Sequence, residues 1–119
     1  RASSAFGYAQ ALDGTWYEYQ KQTENWGADR DDFEDAVDFI GWYNHKTLIR
    51  NKVSPHDAYS LYLAYHEGQG GFSRGTYKNK PWLLRIAKKV KKRSDMYRYQ
   101  LGNCQKELDD SRFWRSVFG

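Results

Sequence analysis

The stretch SPHDAYSLYLAYHEG, residues 54–68, carries the clearest helix signature in the chain. Ser54 is placed to cap a helix, Pro55 suits the first helical position because it has no N–H to satisfy, and Asp57 completes a capping box. Behind them Ala58, Leu61, Tyr62 and Tyr65 recur at helical spacing, with Leu63 and Ala64 alongside. This predicts a helix that begins at Ser54 and stops at Gly68. Four glycines lie between Gly68 and Gly75, which predicts a loop with unusual backbone angles that a ligand can approach closely. The spacing matches neither a dinucleotide fingerprint nor a P-loop.

The same periodicity extends in both directions. A first helix is predicted from Asp13 to Glu24, with Asp13 as N-cap and Leu12, Trp16, Tyr19 and Thr23 on one face. Gly27 suits a left-handed residue at its end. A second helix is predicted from Asp31 to Asn51, its first turns crowded with Asp31, Asp32, Glu34 and Asp35, where the helix dipole favours negative charge. Phe33, Val37, Ile40, Tyr43 or Asn44, and Thr47 or Leu48 form its apolar stripe, widened by Ala36, Phe39 and Trp42. Gly41 costs about 1 kcal/mol relative to Ala inside a helix, which implies a neighbouring helix crossing there. A fourth helix is predicted from Pro81 to Leu108, with Leu83, Ile86, Val90, Tyr97, Leu101, Cys104 and Leu108 in register and Ser94 interrupting them. Cys104 reads as a small buried hydrophobe. The expected fold class is therefore all-α. The expected division is a helical domain over residues 1–108 and an aromatic tail over 109–119, whose Phe113, Trp114, Val117 and Phe118 would dock as a short last helix or meet a partner.

Composition narrows the function classes. Val, Leu, Ile and Phe number 21 of the 119 residues, about 18%, which is low for a packed domain. Aromatics also number 21, and disordered chains are poor in aromatics. A core built largely from rings follows, and Trp and Tyr can also line a wet groove that binds sugars or bases. No stretch approaches the roughly 20 apolar residues of a membrane span. The net charge of +4 divides unevenly: residues 1–60 are acidic and residues 61–119 are basic. Between Lys78 and Arg93 there are eight basic residues and no acid. A solvated helix face explains that run best, an anionic cell-wall polymer or lipid surface comes second, and nucleic acid is disfavoured because no reader motif surrounds it. His45, His56, His66 and Cys104 lack metal-ligand spacing, and the acidic run Asp29–Asp38 lacks the glycine of a calcium loop, so neither metal nor cofactor is expected. The single cysteine excludes an intrachain disulfide within these residues. The chain opens Arg1-Ala2-Ser3-Ser4 without an apolar leader segment, as expected of a processed product or a trimmed piece.

Two segments could carry chemistry. Glu67 stands near a helix C-terminus, where the dipole disfavours its charge and raises its pKa, as a general acid requires. The ordinary alternative is a solvated glutamate. Phe6-Gly7-Tyr8-Ala9-Gln10-Ala11-Leu12 is a small-residue turn ahead of the first helix.

Taken together, these segments resemble a known family. Gly7-Tyr8-Ala9-Gln10 is similar to the G-L-M-Q motif of the soluble lytic transglycosylase domain of the goose-lysozyme-like type, and Ala64-Tyr65-His66-Glu67-Gly68 is similar to its A-Y-N-A-G motif. Helix 33–43 looks like the family's central amphipathic helix, and Tyr97 stands where the family places a groove-lining tyrosine. The run Tyr62–Gly68 is most like short envelope lipoproteins of Gram-negative bacteria. The resemblance covers nearly all of residues 5–104. It implies a lysozyme-like fold, peptidoglycan glycan strands as ligand, a periplasmic or outer-membrane-associated setting, and Tyr8, Gln10, Tyr65, His66, Gly68 and Tyr97 as substrate-binding residues.

The resemblance also has a departure. The family's catalytic glutamate lies upstream of G-L-M-Q, and none of the six residues before Gly7 is acidic. The expected catalytic set in these 119 residues is therefore empty. Glu67, standing where the family has Ala, is only a weak substitute and is not assigned catalysis. Two functions follow: an enzyme completed by an upstream glutamate, or a non-catalytic structural subunit of an envelope assembly such as a secretion machine.

Overall fold

Short polar side chains and left-handed residues set most of the helix ends. A computed structural model describes the backbone of residues 3–118 and the side chains of residues 3–103. It contains helices α1 (Asp13–Thr23), α2 (Phe33–Arg50), α3 (Ala58–Arg74) and α4 (Pro81–Phe118), with a 3-10 turn, Thr76–Asn79, before α4. The chain is all-helical, apart from an isolated antiparallel bridge between Phe6 and Ala11. It folds as two compact units, Arg1–Val53 and Ser54–Gly119.

In the first unit, the N-cap of α1 is Leu12, which has no side-chain acceptor, and Asp13 is the first helical residue instead. Glu24, not Gly27, takes the left-handed position at the end, with φ 56°. Helix α2 begins two residues later than expected because Asp32 caps it, its side chain accepting from Asp35 N–H at 3.0 Å. The buried face of α2 is Ala36, Phe39 and Thr47. Phe33 and Val37, expected on the core stripe, are exposed. The Phe33 ring instead meets Tyr8 edge-on, 5.7 Å between centroids. Among the described residues no close crossing accounts for Gly41: a Cβ there would meet nothing within 4 Å.

The core of this unit is made of rings. Trp16, Tyr19 and Phe39 are buried, with centroids 5.0 to 5.5 Å apart, and Trp42 and Tyr43 extend the cluster from α2. Tyr19, fully buried, donates its hydroxyl proton to Asp38. Burial and then that bond to a neighbouring carboxylate push the phenol up to about 12.

In the second unit, α3 starts at Ala58, later than expected. Asp57 is its N-cap, accepting from Ser60 N–H at 3.0 Å, while Ser54 closes the preceding turn by accepting from His56 N–H. The larger correction is at the other end. Gly68 interrupts the helix as expected, its φ of 80° and ψ of 157° being non-helical, but no open loop follows: a second helical stretch runs on to Arg74, where Gly75 ends it at φ 75°. The Gly68 conformation is essentially reserved for glycine. The expected glycine loop is therefore mostly helix, with Gln69 and Gly71 buried in it. Leu63, Leu83 and Ala87 form the core, with Tyr59, Tyr62, Phe72, Tyr77 and Leu84 packed against it.

Among the described residues, only the first turns of α4 are buried. Ile86, Tyr97 and Leu101 of the expected stripe are exposed, and from residue 91 to 103 only Ser94 is partly covered. The helix runs past Leu108 to Phe118. The side chains of Cys104, Leu108, Phe113, Trp114, Val117 and Phe118 lie outside the described residues. Among the described residues no helix is long and apolar enough to cross a membrane.

Candidate functional site

The kink at Gly68 gathers polar groups around one carboxylate. Glu67 is the last residue before the kink, and its side chain is only 3% exposed. Its Oε2 accepts from Lys80 Nζ at 2.8 Å and from His66 Nδ1 at 3.0 Å, and its Oε1 accepts from Thr76 Oγ1 at 2.8 Å. The three donors come from separate places: α3 itself, the 3-10 turn, and the residue before α4. Lys80 also starts α4 with its backbone, its carbonyl accepting from Leu83 and Leu84 N–H. Burial by itself would raise the Glu67 pKa. The bonds from Lys80, His66 and Thr76, together with the Lys80 charge, outweigh that and hold the carboxyl at about 2. The expected direction is thus reversed. The first helical stretch does end beside Glu67, but a charged donor and two further hydrogen bonds hold the carboxylate, so the group is an anion and not a proton donor at neutral pH.

His66, next to it, is partly exposed and meets Trp82 edge-on, 5.5 Å between centroids. Tyr65 is half-buried one residue earlier. Tyr97 does not join this cluster. It lies fifteen residues beyond Trp82 on the same helix, about 20 Å along the axis, in a shallow groove with Val90, Arg93, Ser94, Arg98 and Leu101.

Tyr8 and Gln10 belong to the first unit. Gly7 adopts φ 79° and Gln10 φ 51° in a tight turn. The Gln10 side chain bends back, its Nε2 donating to the Gly7 carbonyl at 2.9 Å, so part of its hydrogen-bonding capacity shapes the turn. The turn is held down by Arg30. Its Nη1 donates to the carbonyls of Ser4 and Ala11, both at 3.0 Å, and pairs with Asp13 at 2.7 Å, and its guanidinium lies over the Phe6 ring. The Arg30 carbonyl in turn accepts from Tyr8 N–H at 3.3 Å. A Cβ on Gly7 would come within 2.0 Å of that carbonyl oxygen, so this position requires glycine for space as well as for φ.

Across residues 1–104 the chain matches the family model described as the transglycosylase SLT domain. The chain belongs to this family. Curated proteins and solved structures yield no match. Membership of the transglycosylase SLT domain family makes the all-helical architecture lysozyme-like, and the family acts on peptidoglycan. The match spans both the Gly7–Gln10 turn and the Ala64–Gly68 kink, so both motifs lie in the family's domain. Among the described residues no group of three or more His, Cys, Asp or Glu is placed to hold a metal ion.

Sequence reasoning did not anticipate Arg30, Thr76, Lys80 and Trp82. Arg30 left one trace, as the lone cation between Lys21 and Lys46. Thr76 and Lys80 left none, because the separations of 9 and 13 residues from Glu67 reflect a kink and a turn and not a helical period.

Proposed function

We propose that the chain supplies the glycan-strand-binding part of a peptidoglycan lytic transglycosylase, working in the periplasm or at the outer membrane. Cleavage to 1,6-anhydro products then depends on a carboxylic acid that these residues do not provide. The observation that carries this reading is the setting of Glu67, whose buried carboxylate accepts from Lys80, His66 and Thr76, which holds its pKa well below the usual range and leaves it no proton to give a glycosidic oxygen at neutral pH. In lytic transglycosylation one carboxyl acts first as acid, protonating the leaving oxygen, and then as base while the sugar's own 6-hydroxyl attacks. Without it, a groove binds and does not cut. The family match over residues 1–104 supports the glycan strand as ligand. The residues proposed to contact it are Tyr8, Gln10, Tyr65, His66, Gly68 and Tyr97.

The test is digestion of purified sacculi. The 119-residue chain should sediment with them and release no anhydro-muropeptides detectable by mass spectrometry. Anhydro products that disappear in Glu67→Gln would overturn the reading and make Glu67 the acid. A chain that ignores glycan, with no chemical-shift change at Tyr65 or Gln10 on titration with oligomer, would instead favour a structural subunit of an envelope assembly.

A further inference from the structure

An ionised carboxylate can only accept hydrogen bonds, so the proton between His66 and Glu67 stands on His66 Nδ1. Lys80 already supplies the charge that balances Glu67, so the imidazole need not be cationic to make this bond. In the neutral ring Nε2 is then an acceptor, on the opposite side of the imidazole from Nδ1. The side chain of His66 is 37% exposed against 3% for Glu67, so a ligand reaches the ring and not the carboxylate. Trp82, 47% exposed, touches the same imidazole. An exposed indole beside an oriented acceptor suits a sugar, which presents an apolar C–H face and polar groups around its rim.

We propose that His66 and Trp82 form a sugar subsite. Trp82 packs against the face of an amino sugar, and His66 Nε2 accepts a hydrogen bond from one of its hydroxyl or amide groups. Glu67 is the positioning residue that fixes the imidazole tautomer. This rests on the glycan-binding reading above and deepens it. Glu67 is itself held by Thr76 and Lys80, so the tautomer is set by contacts reaching from the 3-10 turn and the start of α4.

The experiment has a spectroscopic arm and a binding arm. Nitrogen-15 labelling of histidine reads which ring nitrogen carries the proton when the ring is neutral. In the parent chain His66 should be protonated at Nδ1, and in Glu67→Gln that signature should give way to a mixture of tautomers. An Nε2-protonated ring in the parent, or an unchanged tautomer in Glu67→Gln, overturns the positioning role. Trp82→Ala alters an exposed side chain and keeps the test independent of whether Glu67→Gln folds. It and His66→Ala should each weaken binding of an N-acetylglucosamine oligomer by about tenfold, with the far-ultraviolet circular dichroism unchanged. If the parent binds the oligomer and both variants bind it equally, the subsite fails while the glycan reading stands. A parent that binds neither oligomer nor sacculi overturns both.

Discussion

Each of the two units is organised around one charged side chain, and the two charges are opposite. In Arg1–Val53 the centre is a cation: Arg30 gathers backbone carbonyls and so closes the Gly7–Gln10 turn. In Ser54–Gly119 it is an anion: Glu67 gathers side-chain donors and so braces the kink at Gly68. The hydrophobic cores differ as well. Rings from α1 and α2 fill the first, whereas Leu63, Leu83 and Ala87 with flanking aromatics fill the second. The contrast shows two ways to hold a glycine-dependent bend. A carbonyl-rich turn needs a charged donor that serves more than one acceptor, and Arg30 Nη1 does so. A kink flanked by Lys, His and Thr needs an acceptor, which a carboxylate supplies.

The contrast can be broken from the cores outward. Phe39→Ala removes the ring that touches Trp16, Tyr19, Trp42 and Tyr43, and should cost about 3–5 kcal/mol in chemical denaturation. Leu63→Ala, with fewer atoms removed, should cost about 2–5 kcal/mol.

The two units should also fail at opposite ends of the pH scale. Glu67 has a folded pKa of about 2 against 4.5 for the ordinary group. Its contribution, of order 3 kcal/mol, is present above pH 4.5 and is lost as pH falls from there towards 2. Tyr19 titrates at about 12 in the folded chain against 10 ordinarily. Its contribution, of order 2–3 kcal/mol, is intact below pH 10 and is lost as pH rises from 10 to 12. Denaturation followed across pH in Glu67→Gln and Tyr19→Phe should show a flattened acid limb in the first and a flattened alkaline limb in the second.

The glycines sharpen the comparison at lower cost. Gly68→Ala meets no atom within 4 Å and should lose about 1–3 kcal/mol through backbone strain alone. Gly7→Ala adds a collision with the Arg30 backbone and should lose more than Gly68→Ala in the same assay. The smallest effect is expected at the caps. Asp32→Ala removes one bond to a helix N-terminus, Asp57→Ala removes one together with the bond from Ser60 Oγ, and each should cost about 1 kcal/mol in thermal unfolding.

Much of the helical framework is legible in the residues. The start of α4 at Pro81 and the near-complete span of α1 follow from Pro placement and ring spacing. The face of α2 is harder. Phe33 and Val37 fit a periodic stripe and are exposed, whereas Ala36 and Phe39, which only widen that stripe, are buried together with Thr47, which belongs to it. A broad apolar arc on α2 permits either rotation, and packing against Trp16 and Tyr19 selects one. The glycines after residue 68 misled for a related reason. Their low helix propensity is real, but Gly71 sits where a Cβ would crowd Thr76 and Glu67, so close packing offsets it. In the candidate site, the motif residues themselves were readable as motifs. The groups that set their chemistry, Lys80, Thr76 and Trp82, were not.

The order of residues alone establishes the helical class, the ring-rich composition and the two motifs that resemble those of the transglycosylase SLT domain family, because periodicity and short motifs are local properties. Tertiary structure decides the charge state of Glu67. A pKa depends on which donors converge and how much water is excluded, and these come from a kink, a turn and a helix start that no local pattern brings together.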